Sequence, residues 1–256
     1  MGAKSVEMME LRIPISAVGK LTAGERYTYY LLGHMFNELM TLQKLVGYTL
    51  PKHEDQRPAR LRPELAQSFF LFRLSSSKVW EVKERLHSNE VAPVLRKSML
   101  IHLTDGETRL KALNKLISSV KWLSTVRNDL GFHFPKLQHW QEFTTPTDSW
   151  IDDSIFLSER SGNVFYDASE SVAMHWLLGQ GGQGDPRVVI EGLVNDMIEL
   201  LSETNRFLED VLSAFIWHVL LPKGVRPSSA GRVRAPQHET MSIPFWTWMP
   251  ARKPVR

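Results

Sequence analysis

A chain of 256 residues with 43% hydrophobic and 23% charged side chains is long enough to bury a substantial core and has the make-up of a soluble globular protein. It has no cysteine, which excludes disulfides, cysteine nucleophiles and thiolate metal sites and points to a reducing compartment. The net charge of +3 is unevenly spread: residues 222–256 hold seven Lys/Arg against one acid, Glu239, making a net +6 tail on a net −3 body and a pI near 9.1.

Residues 1–10 alternate charged and apolar side chains without a continuous apolar core, so no secretory signal is expected. Residues 25–46 carry a helical stripe of Leu32, Met35, Phe36, Leu39, Leu42 and Val46. A turn cluster with Pro51 and Pro58 precedes a second helix, expected over about 63–87, with Leu65, Phe69, Phe72, Val79, Trp80 and Leu86 on its apolar face. A shorter helix is expected within 89–103, and Thr104-Asp-Gly-Glu107 breaks the pattern. A third long helix follows on Leu110, Leu113, Leu116, Ile117, Val120 and Leu123.

Residues 135–153 are polar and poorly periodic and read as loop. Ser154-Ile-Phe-Leu-Ser158 and Asn163-Val-Phe-Tyr-Asp167 flank Glu-Arg-Ser-Gly and read as a small β-hairpin. After a helical stretch at 168–178, Asp185-Pro186 starts the longest helix, since Asp is a favoured N-cap and Pro is tolerated at the first helical position. The apolar-rich stretch 211–221 contains His218 and is too short to span a bilayer, so a cytoplasmic protein without a membrane segment is expected. The tail holds six of the 14 prolines and an aromatic knot, Phe245-Trp-Thr-Trp248, expected to dock back on the body.

The expected fold is mainly α: a helical bundle of long amphipathic helices with a small β-hairpin insertion. Residues 1–221 form the helical domain, with the hairpin at about 154–167, and 222–256 form a basic C-terminal tail containing Pro and Trp.

Three motifs carry little weight. Gly179-Gln-Gly181-Gly-Gln-Gly184 matches GxGxxG, but a dinucleotide fingerprint follows a buried strand and 172–178 read as helix, so no cofactor is assigned. Glu84-Arg-Leu-His87 has the spacing used in di-iron bundles, yet no second copy exists, and His34 with Glu38 supplies only two ligands, so no metal is assigned. There is no GxSxG and no HExxH.

The segment that carries chemistry is Ser124-Thr-Val-Arg-Asn-Asp-Leu-Gly-Phe-His-Phe-Pro135. It places a permanent cation, Arg127, and a polar Asn128 near His133, an imidazole. On an unbroken helix Arg127 and His133 would lie about 120° apart around the axis. Gly131 between them would let His133 swing towards the arginine. Asp129 and His133 share a face at i,i+4 spacing, so the carboxylate is expected to orient the imidazole. A plain structural reading stands beside this one: cations complement the last turn of a helix, Gly ends it in the left-handed conformation, and Pro follows.

Arg127-Asn128-Asp-Leu-Gly-Phe-His133 resembles the R-x(4–6)-H signature of the HEPN superfamily (higher eukaryotes and prokaryotes nucleotide-binding domains), in which a polar residue directly follows the arginine. The resemblance implies a metal-independent endoribonuclease acting as a homodimer, in a toxin–antitoxin or phage-defence setting, with RNA as substrate and an antitoxin protein as a candidate partner. It implies His133 as general acid or base, Arg127 on the scissile phosphate and Asn128 orienting phosphate or histidine. Asp129 and Gly131 are supporting residues from spacing alone. The alternative is a non-catalytic HEPN-like module that binds nucleotide or protein. A third reading gives the basic tail the nucleic-acid contacts.

Overall fold

The computed structural model describes residues 4–52, 54–131, 133–144, 154–158, 164–182 and 184–247. It is mainly α, with two two-stranded sheets among the described residues. The principal elements are β1 (Lys4–Glu10), α1 (Ala23–Thr49), α2 (Pro58–Leu86), α3 (Gly106–Ser119), α4 (Trp122–Val126), β2 (Ile155–Leu157), β3 (Val164–Tyr166), α5 (Asp167–Gly181), α6 (Pro186–Phe215) and β4 (Ser228–Ala235). The chain divides into two compact units that interleave along the sequence: residues 1–43, 78–121 and 198–241, and residues 44–77, 122–197 and 242–256.

The first unit is built on the expected stripes. Leu32, Met35, Leu39 and Leu42 of α1 are buried, as are Val79, Val82 and Leu86 of α2, Leu110, Leu113 and Ile117 of α3, and Leu208, Val211 and Phe215 of α6. These positions recur at three and four residues, one face of a 3.6-residue helix. Polar bonds tie the same helices: Asn205 Nδ2 donates to Gln43 Oε1 at 2.8 Å, and Arg109 pairs with Asp210. Glu38 accepts from Lys78 Nζ at 2.9 Å and lies 3.6 Å from His34 Nε2, so a structural cation engages the carboxylate of that candidate pair.

The helix expected within 89–103 is broken into short pieces: Ala92–Val94, a π-helical turn Leu95–Met99 and a 3-10 turn Leu100–His102. A second π-helical turn, Ile216–Leu220, extends α6. The rings of His102 and His218 stack with centroids 5.3 Å apart and planes 9° apart. Burial, and next the neighbouring His218, push the His102 imidazole below its ordinary value. A depressed imidazole pKa means that the unfolded chain takes up the proton more readily than the folded one. Its stabilising contribution is therefore complete above the unfolded value, about 6.5, and is lost as the pH falls through the folded value. In an NMR pH titration His218→Gln is expected to raise the His102 midpoint towards the ordinary value; an unchanged midpoint would leave burial as the sole cause.

The first unit also holds an element that local periodicity does not reveal. β1 pairs antiparallel with β4, Lys4 opposite Ala235, Val6 opposite Val233 and Glu7 opposite Arg232, with a register shift between Met8 and Met9. Residues 228–235 of the basic tail are thus one strand of a ribbon whose other strand is the chain's first described segment.

In the second unit, Phe69 and Phe72 of α2, Trp122, Leu123 and Val126 of α4, Val172, Trp176 and Leu177 of α5, and Leu193 and Met197 of α6 are buried. Phe72 stacks on Trp122 at 5.1 Å, and the Trp122 indole donates to Asp196 Oδ2 at 2.9 Å. The hairpin has the expected strands, with Ile155 opposite Tyr166 and Leu157 opposite Val164; its turn, 159–163, lies outside the described residues. α6 starts at Pro186, with Asp185 Oδ1 accepting the Arg187 N–H at 2.9 Å. Helix α5 runs through Gly181, so the first half of the GxGxxG at 179–184 lies within a helix and no strand precedes it.

Helix α2 begins five residues before its expected start and carries Pro63 inside it. Asp55 holds this end, accepting the Arg57 N–H at 3.1 Å and pairing with the Arg57 guanidinium. A proline has no N–H to give the carbonyl four residues earlier. That carbonyl, of Ala59, accepts the indole N–H of Trp246 instead, at 2.6 Å. Phe245 beside it meets Phe165 edge-on at 5.4 Å, so Phe245 and Trp246 of the aromatic knot do dock; Trp248 lies outside the described residues.

Candidate functional site

Helix α4 anchors the Arg127–His133 segment, since Leu123 and Val126 are fully buried and Trp122 is fixed by its stack and hydrogen bond. The chain then departs from α geometry: Arg127–Gly131 is a π-helical turn. Such turns widen the helix by one residue and recur at functional sites. The widening changes which side chains face each other, so angles reckoned on an unbroken α-helix do not apply.

Gly131 is not a left-handed helix stop. Positive φ occurs among the described glycines at Gly182, Gly184, Gly224 and Gly231, not at Gly131. Its role is close approach: a Cβ there would sit 1.8 Å from Ser77 Oγ on α2 and 3.1 Å from Ser77 Cβ. Ser77 is fully buried, and its hydroxyl donates to the Arg73 carbonyl at 3.0 Å.

The side chains of the segment fall into two groups. Arg127, half-buried, donates from Nη1 to Asn128 Oδ1 at 2.8 Å, so Asn128 touches the arginine. Asp129 does not turn to His133. Its Oδ1 lies 3.9 Å from Nδ1 of His139, which the short helix Leu137–Trp140 brings up in a stretch expected to be loop. The i,i+4 pairing fails because the π turn and the bend after Gly131 carry His133 off the helical face.

His133 instead stands exposed on the wall of a cleft of about 490 Å³. Gly131, Phe134 and Trp140 line it on one side, and Phe70, Arg73 and Glu170 on the others. Phe134 is 97% exposed and Phe70 54%. A second cavity of about 540 Å³ shares Phe70, Arg73, Ser169 and Glu170 and continues past Tyr166 to Phe245. Arg127 is not part of the lining of either one.

The cation that lines this cleft together with His133 is Arg73, which residue-type and spacing arguments overlooked. Its side chain is only 14% exposed and its Nη2 stands 4.0 Å from Glu170 Oε2, beyond hydrogen-bonding reach. Burial pushes the guanidinium down from the usual arginine value, with the Glu170 carboxylate acting the other way. A signal was available: Arg73 interrupts Phe69-Phe-Leu-Phe-Arg-Leu, the most apolar run of α2. A shielded cation, an imidazole and exposed aromatic rings together suit a ligand that is anionic and carries flat rings.

Among the described residues no group of three or more His, Cys, Asp or Glu is placed to hold a metal ion, and no helix is long and apolar enough to cross a membrane. No protein-family model, curated protein or solved structure matches this chain. What the fold defines is a mainly α protein, and the reading of its site rests on the residues themselves.

Proposed function

We propose that the protein is a HEPN-like endoribonuclease that works without a metal, as a homodimer, in a toxin or phage-defence setting. The observation that carries this reading is His133, exposed on the wall of a cleft that also holds the shielded Arg73, at the end of a segment bearing the Arg127–Asn128 pair. In the proposed reaction the RNA 2′-oxygen attacks phosphorus and the bond to the 5′-oxygen breaks. The 2′-hydroxyl proton leaves to a base and a proton is delivered to the departing 5′-oxygen, and His133 serves one of these transfers. Arg127, with Asn128 holding its guanidinium, binds the scissile phosphate and stabilises its developing charge. Phe70 and Phe134 offer faces for bases to stack on, and Arg73 takes a neighbouring phosphate. Asp129 supports His139 rather than the catalytic imidazole. An antitoxin protein is the candidate partner in this setting.

The test is cleavage of single-stranded RNA by the purified protein in excess chelator, with Arg127→Ala and His133→Ala alongside. Cleavage that survives chelator and is lost in both variants is expected; cleavage retained in both overturns the reading.

A second reading, a non-catalytic HEPN-like module that binds nucleotide or protein, is favoured by one observation: Arg127 is joined to Asn128 and does not line the cleft with His133. It predicts a nucleotide-induced rise in Tm without cleavage.

A further inference from the structure

Strand β1 and strand β4 form a ribbon of two strands in which β1 is exposed at every residue and β4 at all but its last. Isolated two-stranded ribbons are marginally stable in water, and an open edge offers unpaired N–H and C=O groups to another strand. Among the described residues no strand covers the other edge of β1.

The sequence of that edge is complementary to itself. The register shift skips Ala230 on β4, so β1 keeps its regular alternation. Lys4, Val6, Met8 and Glu10 share one face, and Ser5, Glu7 and Met9 the other. When two copies of β1 run antiparallel about Glu7, Lys4 falls opposite the partner's Glu10 and Val6 opposite the partner's Met8, each pair occurring twice. Val6, Met8 and the adjoining Val233, now 45%, 47% and 53% exposed, would become one apolar stripe across four strands. A slip of one residue in either direction sets Glu7 against an apolar side chain, Val6 one way and Met8 the other, and separates Lys4 from Glu10, so this register is specified by its pattern. Glu7 meets the partner's Glu7 on the axis, but each already faces Arg232 across its own ribbon, giving a row Arg–Glu–Glu–Arg. Four favourable pairs stand against one unfavourable pair.

We infer that β1 is a dimerisation strand: two copies of this chain join edge to edge, antiparallel and centred on Glu7, into a four-stranded sheet. The inference stands apart from the ribonuclease reading, since it rests on the ribbon alone.

The absence of cysteine makes the test direct. In Glu7→Cys the two thiols sit opposite each other, with Cα atoms about 4.5–5.5 Å apart, within the reach of a disulfide. In Ser5→Cys the thiols are four residues out of register, about 13 Å apart. With far-UV circular dichroism confirming unchanged helix content, mild oxidation of the full chain is expected to cross-link Glu7→Cys into dimer and to leave Ser5→Cys largely uncross-linked. Light scattering is expected to show wild-type dimer, dissociation in Lys4→Glu, and recovery in Lys4→Glu/Glu10→Lys. Equal cross-linking at positions 5 and 7, or a wild-type monomer at tens of micromolar with no preference for position 7, overturns the inference. RNA cleavage measured on the same samples separates the two readings: a position-7 dimer that cleaves nothing sinks only the ribonuclease, and a cleaving dimer that shows no preference for position 7 sinks only the strand pairing.

Discussion

His133→Ala is expected to lower RNA cleavage by about 10²–10⁴-fold while leaving the fold unchanged. The magnitude is that of a lost general acid or base. Stability is spared because His133 and its neighbour Phe134 are exposed. The more informative comparison is between the two arginines. Arg127→Ala is expected to cost about 10²–10³-fold in kcat, as for loss of a charge-stabilising donor, and Arg127→Lys to recover little because lysine lacks the planar fork. Arg73→Met removes the cation from the cleft at similar volume, and replacing a largely buried, weakly paired charge by an apolar side chain is often neutral or stabilising. It is expected to leave Tm unchanged or higher and to raise KM. Arg127 does not line the cleft that holds His133, so a kcat that depends on Arg127 would favour the proposed site assembled from more than one copy. A kcat that depends on Arg73 and ignores Arg127 would make the site a property of the single chain and overturn the composite arrangement. Steady-state kinetics on the three variants decides between them.

Gly131→Ala carries the largest expected effect on stability. The added methyl group would sit 1.8 Å from the Ser77 hydroxyl, and Ser77 is fully buried. Overpacking of this kind typically costs about 1–3 kcal/mol, and each kcal/mol lowers Tm by roughly 2–4 °C in a chain of this size. Gly131→Asn separates the two roles a glycine can have. Asparagine is tolerated in the left-handed conformation, so it would be mild at a helix stop, but here it is expected to be at least as harmful as alanine. Ser77→Gly in the Gly131→Ala background removes both close contacts and is expected to restore part of the loss, with a coupling energy of about 0.5 kcal/mol or more by double-mutant cycle. Additive effects would mean that the two residues do not share the space.

The long helices were legible because their apolar residues recur with the helical period: Leu32, Met35, Leu39 and Leu42 are buried as the stripe predicts, and Asp185-Pro186 starts α6. The hairpin strands were legible from their short apolar runs. The β1–β4 ribbon was not. Its strands lie more than 200 residues apart, and neither Lys4–Glu10 nor Ser228–Ala235 carries a turn signal towards the other. Residues near 135–153 read as loop, yet Leu137–Trp140 is helical, and residues 145–153 lie outside the described residues. At the candidate site, residue types singled out His133, which lines the cleft, and Arg127, which does not, and spacing misled. The i,i+4 rule assigned Asp129 to His133, and the π turn delivered it to His139. Arg73 was missed because a helical stripe reads apolar positions as core and says nothing of a cation set among them.

The proline inside α2 bears on how the basic tail can be tested. Pro63 leaves the Ala59 carbonyl without its helical donor, and Trp246 supplies one, while residues 228–235 complete the ribbon with β1. A chain cut at residue 221 would therefore lose a helix repair and a strand along with its positive charge. Lost RNA binding in such a truncation would report damaged structure as readily as missing charge. Substitution in place outside the ribbon, at the exposed Lys223→Gln with Arg226→Gln, keeps both anchors and isolates the charge.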